Sequence, residues 1–191
     1  KQVSDQYRRI RNTFRFIMGN LNDFDEKSNN VNKNDLVEID KWIISEAIKL
    51  HEEVQKLNDN YAYHHVIQKI HNFCVHELGG VYLDIIKDRM YVTKSNSYAR
   101  RSAQFALFEV AEILIRLISP ILVFTAEEIW QSHELFKKQS VSIFMASQKA
   151  LSEIESSISD EDWKKIFAVK DAANQSIEKA RTDSVIKGSL D

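Results

Sequence analysis

The residues best equipped for chemistry in this chain are five metal-ligating or nucleophilic side chains and two groups of arginines. His64, His65, His71, Cys74 and His76 lie within thirteen positions. His71 and Cys74 are about one helical turn apart and could share a face. Structural zinc sites pair their Cys or His ligands twice at short spacings, and no second cluster follows here. Cys74 also falls on an apolar stripe, where free cysteine behaves as a small core residue. No metal is therefore expected. Nucleophilic catalysis fares no better, because nothing in the sequence offers Cys74 an orienting third group or an oxyanion hole. Glu127 and Glu128 are neighbours, so they point to different helix faces and form no carboxylate dyad. A Gly-rich phosphate loop is absent. No catalytic residue is assigned.

The arginines point to anion recognition. Phosphate binding needs planar, permanently charged forks held in register. Arg8, Arg11 and Arg15 stand at i, i+3 and i+7, which puts them on one helix face. A second basic group holds Lys87, Arg89, Lys94, Arg100 and Arg101. Arg100 and Arg101 sit at the start of a strongly apolar helix, where the dipole disfavours cations, so another partner must hold them. Tyr82, Tyr91 and Tyr98 lie beside this group and are candidates to stack on unpaired bases. The competing reading is a solvated face with weak surface ion pairs. Arg11 and Asn12 are the members most apt to pair between helices instead.

The elements that must position these residues are helical. Val3, Tyr7, Ile10, Phe14, Ile17, Met18 and Leu21 recur at three- and four-residue steps, so residues 2–21 read as an amphipathic helix. A polar loop, 22–34, follows, with Asn34 or Asp35 as cap for a helix carrying Leu36, Ile39, Ile43, Ala47, Leu50, Val54 and Leu57. Asn58-Asp59-Asn60 breaks the pattern. A third helix places Val66, Ile67, Ile70, Phe73, Cys74 and Leu78 inward, and Gly79-Gly80 should weaken or bend it. The helix from about Tyr98 to Ser119 is apolar on most sides, as in the centre of a bundle. Pro120 interrupts it before Ile121 to Trp130. Residues 141–145 read as a short extended segment, and Asp160 as the N-cap of a final helix to about Asp183. The expected fold is all-α: an up-and-down helical bundle over 1–131, with a small appendage over 132–191.

Composition agrees. Four glycines and one proline are too few for strand-and-turn or α/β nucleotide-binding folds. One cysteine allows no internal disulfide and fits a reducing, cytoplasmic compartment. The stretch from Phe105 to Phe124 is broken by Glu109, Glu112 and Arg116, which argues against a membrane span. Lys1-Gln2-Val3-Ser4 reads as part of an amphipathic pattern, neither signal nor transit peptide. Net charge is −2, so any polyanion-binding surface must arise from local segregation.

Read as strings, several segments resemble one family. Residues 4–16, Ser-Asp-Gln-Tyr-Arg-Arg-Ile-Arg-Asn-Thr-Phe-Arg-Phe, resemble the helix that opens the anticodon-binding domain of bacterial-type isoleucyl-tRNA synthetases. Residues 82–91, Tyr-Leu-Asp-Ile-Ile-Lys-Asp-Arg-Met-Tyr, look like a second signature of that family, and 99–104, Ala-Arg-Arg-Ser-Ala-Gln, like the start of the next helix. Residues 119–130, from Ser119-Pro120 to Ile129-Trp130, are similar to a pattern shared by the synthetases for branched apolar amino acids, as is Asp40-Lys41-Trp42. The last helix also fits, ending in Glu178-Lys179-Ala180-Arg181. Residues 132–159 match poorly, and Ile186-Lys187-Gly188 inserts a lysine where the family runs from Ile to Gly.

The resemblance implies an all-helical tRNA-binding segment of a monomeric enzyme that ligates isoleucine to its tRNA. ATP, magnesium and zinc would belong to other parts of that parent, so no cofactor is expected in this segment. Its partners would be the anticodon stem-loop of an isoleucine tRNA and the catalytic domain of the same polypeptide. Arg8, Arg11, Arg15, Lys87, Arg89, Arg100 and Arg101 would neutralise stem phosphates, with Tyr91 and Tyr98 near the splayed loop bases. The alternatives are the equivalent domain of a valyl or leucyl enzyme, or a helical adaptor that binds protein.

Overall fold

The computed structural model describes residues 2–25, 31–147, 151 and 154–183. The lysine insertion at 186–188 lies outside them. Among the described residues there is no strand, and no helix is long and apolar enough to cross a membrane. The chain divides into two compact units between Glu155 and Ser156.

The first unit is an up-and-down bundle. Helix α1 (Gln2–Asn20) buries Ile10, Phe14 and Ile17, with Leu21 just beyond its end, and leaves Val3 exposed. Helix α2 (Glu38–Asp59) buries Ile43, Ala47, Leu50 and Val54 on one stripe. Helix α3 (Tyr63–Phe73) returns alongside, and α6 (Tyr98–Ile118) runs up the centre. Between Ser102 and Ile118 only Arg116 is not buried. Each large apolar side chain on that helix removed from water contributes about 1.5–3 kcal/mol, so α6 is the main source of core stability. Cross-links fix the directions. Gln104 donates to the Asn20 carbonyl, whereas Tyr7 bonds Thr125, so α1 runs antiparallel to α6. Val37 donates to Ser102 Oγ, which places the start of α2 beside the start of α6.

The α2–α3 corner closes as a Schellman turn, with Ala62 N–H bonded to Leu57 O and Tyr61 N–H to Asn58 O. Tyr61 takes the left-handed position, at φ 56°, where glycine is usual. The sequence break is real, but its device is not the asparagine run.

Gly79 and Gly80 do not simply bend α3. The chain continues as a π-helix over Cys74–Tyr82, then α4 (Leu83–Ile85) and α5 (Lys87–Tyr91). A Cβ on Gly79 would sit 3.0 Å from the Cys74 carbonyl, five residues back. A side chain there would press on the backbone of the wider turn, which glycine avoids.

After Pro120, α7 (Val123–Ser132) packs against α6, followed by α8 (Glu134–Lys137). Phe136 stacks on Trp130 and on Phe108, with centroids at 5.3 and 5.5 Å. Residues 141–145, expected to be extended, instead form a 3-10 turn at Ile143–Met145. Glu127 explains it, because its carboxylate accepts from Ser142 Oγ at 2.9 Å and from Ile143 N–H at 3.2 Å and curls the segment onto α7. Residues 132–147 thus pack within the first unit.

Helix α9 (Asp160–Thr182) forms the second unit's described core, with Trp163 and Phe167 stacked one turn apart. Its N-cap is Ser159, whose Oγ accepts from Asp162 N–H, rather than Asp160. The cap expected for the second helix, Asn34 or Asp35, also moves. Asn32 caps a 3-10 turn at Lys33–Asp35, and α2 begins after Val37.

Candidate nucleic-acid interface

The first basic group behaves as its spacing predicts. The apolar stripe of α1 turns inward, which leaves Arg8, Arg9, Arg11 and Arg15 exposed. Arg8 reaches Asp5 at 3.5 Å, a loose surface pair that holds little free energy. Arg11 donates to Glu128 on α7 at 2.7 Å, so it does pair between helices. Arg15 has no ion pair or hydrogen bond to its side chain among the described residues. Arg11, Asn12, Arg15 and Met18 form one wall of a groove of about 520 Å³, and Glu128, Ile129 and Ser132 the other.

The second group is different in kind. Arg89, Arg100 and Arg101 have side chains only 16%, 18% and 14% exposed, and each is engaged within the fold. Arg89 grips Asp40 with both terminal nitrogens, at 3.0 and 2.6 Å, and donates through Nε to the Ala99 carbonyl. Asp40 is fully buried and also accepts from the Tyr82 hydroxyl at 2.7 Å and from Ser102 Oγ. A buried carboxylate is tolerated only when saturated in this way. Arg100 bonds Asp23 at 2.9 Å and the Met90 carbonyl. Arg101 bonds the Asp23 carbonyl and Gln104, each at 2.7 Å. These acceptors are the partners that the α6 dipole could not supply. Partial burial pushes the Asp23 carboxyl up, but hydrogen bonds from Arg100 and Gln104 and the two arginine charges outweigh it, leaving its pKa lowered. Both Arg100 and Arg101 therefore already spend part of their donor set on the fold.

The tyrosines separate as well. Tyr82 is fully buried, and burial followed by the Asp40 charge pushes its hydroxyl pKa well up. It cannot stack on a base. Tyr91 is 66% exposed, its hydroxyl 3.4 Å from Asn20 Nδ2, and Tyr98 is half exposed with its hydroxyl donated to the Asp35 carbonyl. Lys87 is exposed and bonded to Asp84 at 2.8 Å, which raises its pKa. Tyr91, Val92, Lys94 and Tyr98 all sit exposed at the end of the bundle where α1 finishes and α6 starts.

The residues missed in the sequence are acids. Asp23, Asp40 and Glu128 engage these arginines, and although Asp40 and Glu128 stood in recognisable strings, neither was read as an arginine partner. Glu127 and Glu128 do point apart, to Ser142 and to Arg11 respectively. His64 and His65 are exposed, with ring centroids 3.9 Å apart. Burial pushes the Cys74 thiol up to about 12, so it is no nucleophile at neutral pH. Among the described residues no group of three or more His, Cys, Asp or Glu side chains converges to hold a metal.

These features define a class, the all-α helical bundles, here with an exposed arginine row and a solvent-facing aromatic end. The comparisons identify the family within it. The family described as the anticodon-binding domain of tRNA ligase matches residues 40–191, and the chain belongs to that family. The chain is also similar over its whole length to the isoleucine–tRNA ligase of Idiomarina loihiensis, at 45% identity, covering 20% of that protein. Similarity to those of Caldicellulosiruptor saccharolyticus and Pseudomonas aeruginosa is 44% and 43%, again over the whole chain, covering 21% and 20% of them. The chain thus spans about a fifth of the length of these relatives. The α1 row precedes the stretch matched by the family, but lies within the whole-chain similarity.

Proposed function

We propose that this chain is the tRNA-recognition segment of an isoleucine–tRNA ligase, a cytoplasmic and monomeric enzyme. The reading is carried by the 43–45% identity that runs through the entire chain to isoleucine–tRNA ligases. It is supported by an exposed Arg15 without a partner among the described residues, a loosely held Arg8 and Arg11, and the exposed Tyr91 and Tyr98. The α1 row contacts stem phosphates, which sets orientation without reading sequence. The tyrosine end stacks on unpaired loop bases, each worth about 1–3 kcal/mol. Arg89, Arg100 and Arg101 act one step back, by holding that end in place, and Lys87 joins the phosphate contacts. ATP, magnesium and zinc belong to the remainder of the parent, which performs the ligation.

The test compares this chain's affinity for an isoleucine tRNA transcript and for the same transcript with a changed anticodon. Weaker binding to the altered transcript supports base reading at the tyrosine end. Equal binding reduces the segment to a phosphate clamp.

A further inference from the structure

The groove between α1 and α7 contains its own anion. Glu128 projects from α7 and meets Arg11 across the groove at 2.7 Å, while Arg15, one turn along α1, is left without a partner among the described residues. The neighbouring Glu127 is not interchangeable with it. Its two oxygens are held by Gln131, Ser142 and the Ile143 amide, which lowers its pKa against the opposing effect of burial. Glu128 has no such restraint, and both members of its pair are about half exposed, at 51% for Arg11 and 59% for Glu128. A pair this exposed is weak and exchangeable. A phosphate presents the same bidentate acceptor geometry to a guanidinium as a carboxylate does. Arg11 and Arg15 stand about 5–6 Å apart at Cβ, as i, i+4 neighbours do, so two adjacent forks face the groove once Arg11 is released.

We infer that Glu128 is a built-in competitor for RNA phosphate: it holds Arg11 when the groove is empty and must be displaced before Arg11 contacts the backbone. This rests on the reading that the α1 face meets tRNA. Glu128 acts as a specificity element, since a carboxylate set against a basic row weakens every polyanion that lacks further anchoring on the chain.

The experiment measures binding of an isoleucine tRNA transcript to this chain by fluorescence anisotropy across a salt series. Thermal melting of each variant reports that it is folded. Glu128→Gln and Glu128→Ala should each tighten binding by about two- to five-fold, the scale of an exposed pair. In the Arg11→Ala background Glu128→Gln should give no gain. Arg11→Ala should lower the slope of log affinity against log salt by about one in the Glu128→Gln background. It should lower it by less in the wild type, where the pair is already neutral. No gain from Glu128→Gln, or a gain undiminished without Arg11, overturns the inference. Arg15→Ala separates the two levels. If it weakens binding while Glu128→Gln does nothing, only the role of Glu128 falls. If it leaves affinity and salt slope unchanged, the α1 face does not meet RNA and both readings fall.

Discussion

Arg89 and Asp40 form a two-pronged ion pair between α5 and α2, Nη1 to Oδ1 at 3.0 Å and Nη2 to Oδ2 at 2.6 Å, with Asp40 wholly buried. The same carboxylate takes the Tyr82 hydroxyl and Ser102 Oγ. One side chain thus ties the starts of α2 and α6 to the π-helix and α5. The exposed Tyr91 follows Arg89 by two residues, so the node also fixes where the aromatic end stands.

Arg89→Ala leaves Asp40 charged and partly unpaired in the interior. Removing one partner of a buried pair costs about 3–5 kcal/mol, and urea unfolding should show a loss of that size. Tyr82→Phe removes one hydrogen bond from an otherwise held carboxylate and should cost about 1–3 kcal/mol. A wild-type midpoint for Arg89→Ala would mean that the node adds nothing to stability.

His133 makes the α7–α8 junction sensitive to acid. Its Nδ1 accepts from the Leu135 amide at 3.3 Å, which requires a neutral ring. Burial lowers its pKa below the ordinary 6.5, against a raising hydrogen bond to the Leu21 backbone. The unfolded chain therefore takes up the proton first, so this contribution is full above the ordinary value and is lost as pH falls through the folded one. Stability from this group should therefore decline as pH falls below the ordinary histidine value. His133→Asn keeps a capping acceptor and should flatten part of the slope. His51, whose pKa is also lowered by burial, accounts for some of the remainder. An unchanged pH profile in His133→Asn would dismiss the assignment.

Gly79→Ala should reverse the usual sign of a glycine replacement in a helix. In an ordinary α-helix the change stabilises by about 0.8–1 kcal/mol. Here the new methyl lies 3.0 Å from the Cys74 carbonyl, a backbone atom that cannot swing away. Overpacking of this kind costs about 1–3 kcal/mol, so the net effect is a loss. Gly80, with 3.3 Å to the Val75 carbonyl, should respond more mildly. Chemical denaturation of both variants checks the sign and the order. A more stable Gly79→Ala would show that the π-helix relaxes to α without penalty.

Much of this molecule was legible in one dimension, because helix periodicity is local. The stripes of α1 and α2, the buried character of α6, and the opposed directions of Glu127 and Glu128 all follow from a repeat of 3.6 residues. The failures were also physical. Near residue 143 the local signal for a 3-10 turn is Ser142, whose Oγ accepts from Phe144 N–H, while the carboxylate that anchors the turn stands on α7. Tyr61 occupies a left-handed position that its own side chain disfavours, so surrounding structure must impose it.

The arginines mark the boundary most clearly. By itself the sequence determined that the chain is helical, to which family its strings belong, and where its cations are concentrated. Arg15 and Arg100 could not be told apart from type and spacing, because both are arginines beside apolar helix positions. Their roles depend on acids remote along the chain. Asp23 is 77 residues from Arg100, and Asp40 is 49 from Arg89. Only the packing of α1, α2, α5 and α6 brings those carboxylates within reach, because a charge pair is set by distance in space. The tertiary structure therefore decided that Arg15 has no partner among the described residues, that Arg11 pairs with Glu128, and that Arg89, Arg100 and Arg101 of the second basic group are tied into the fold.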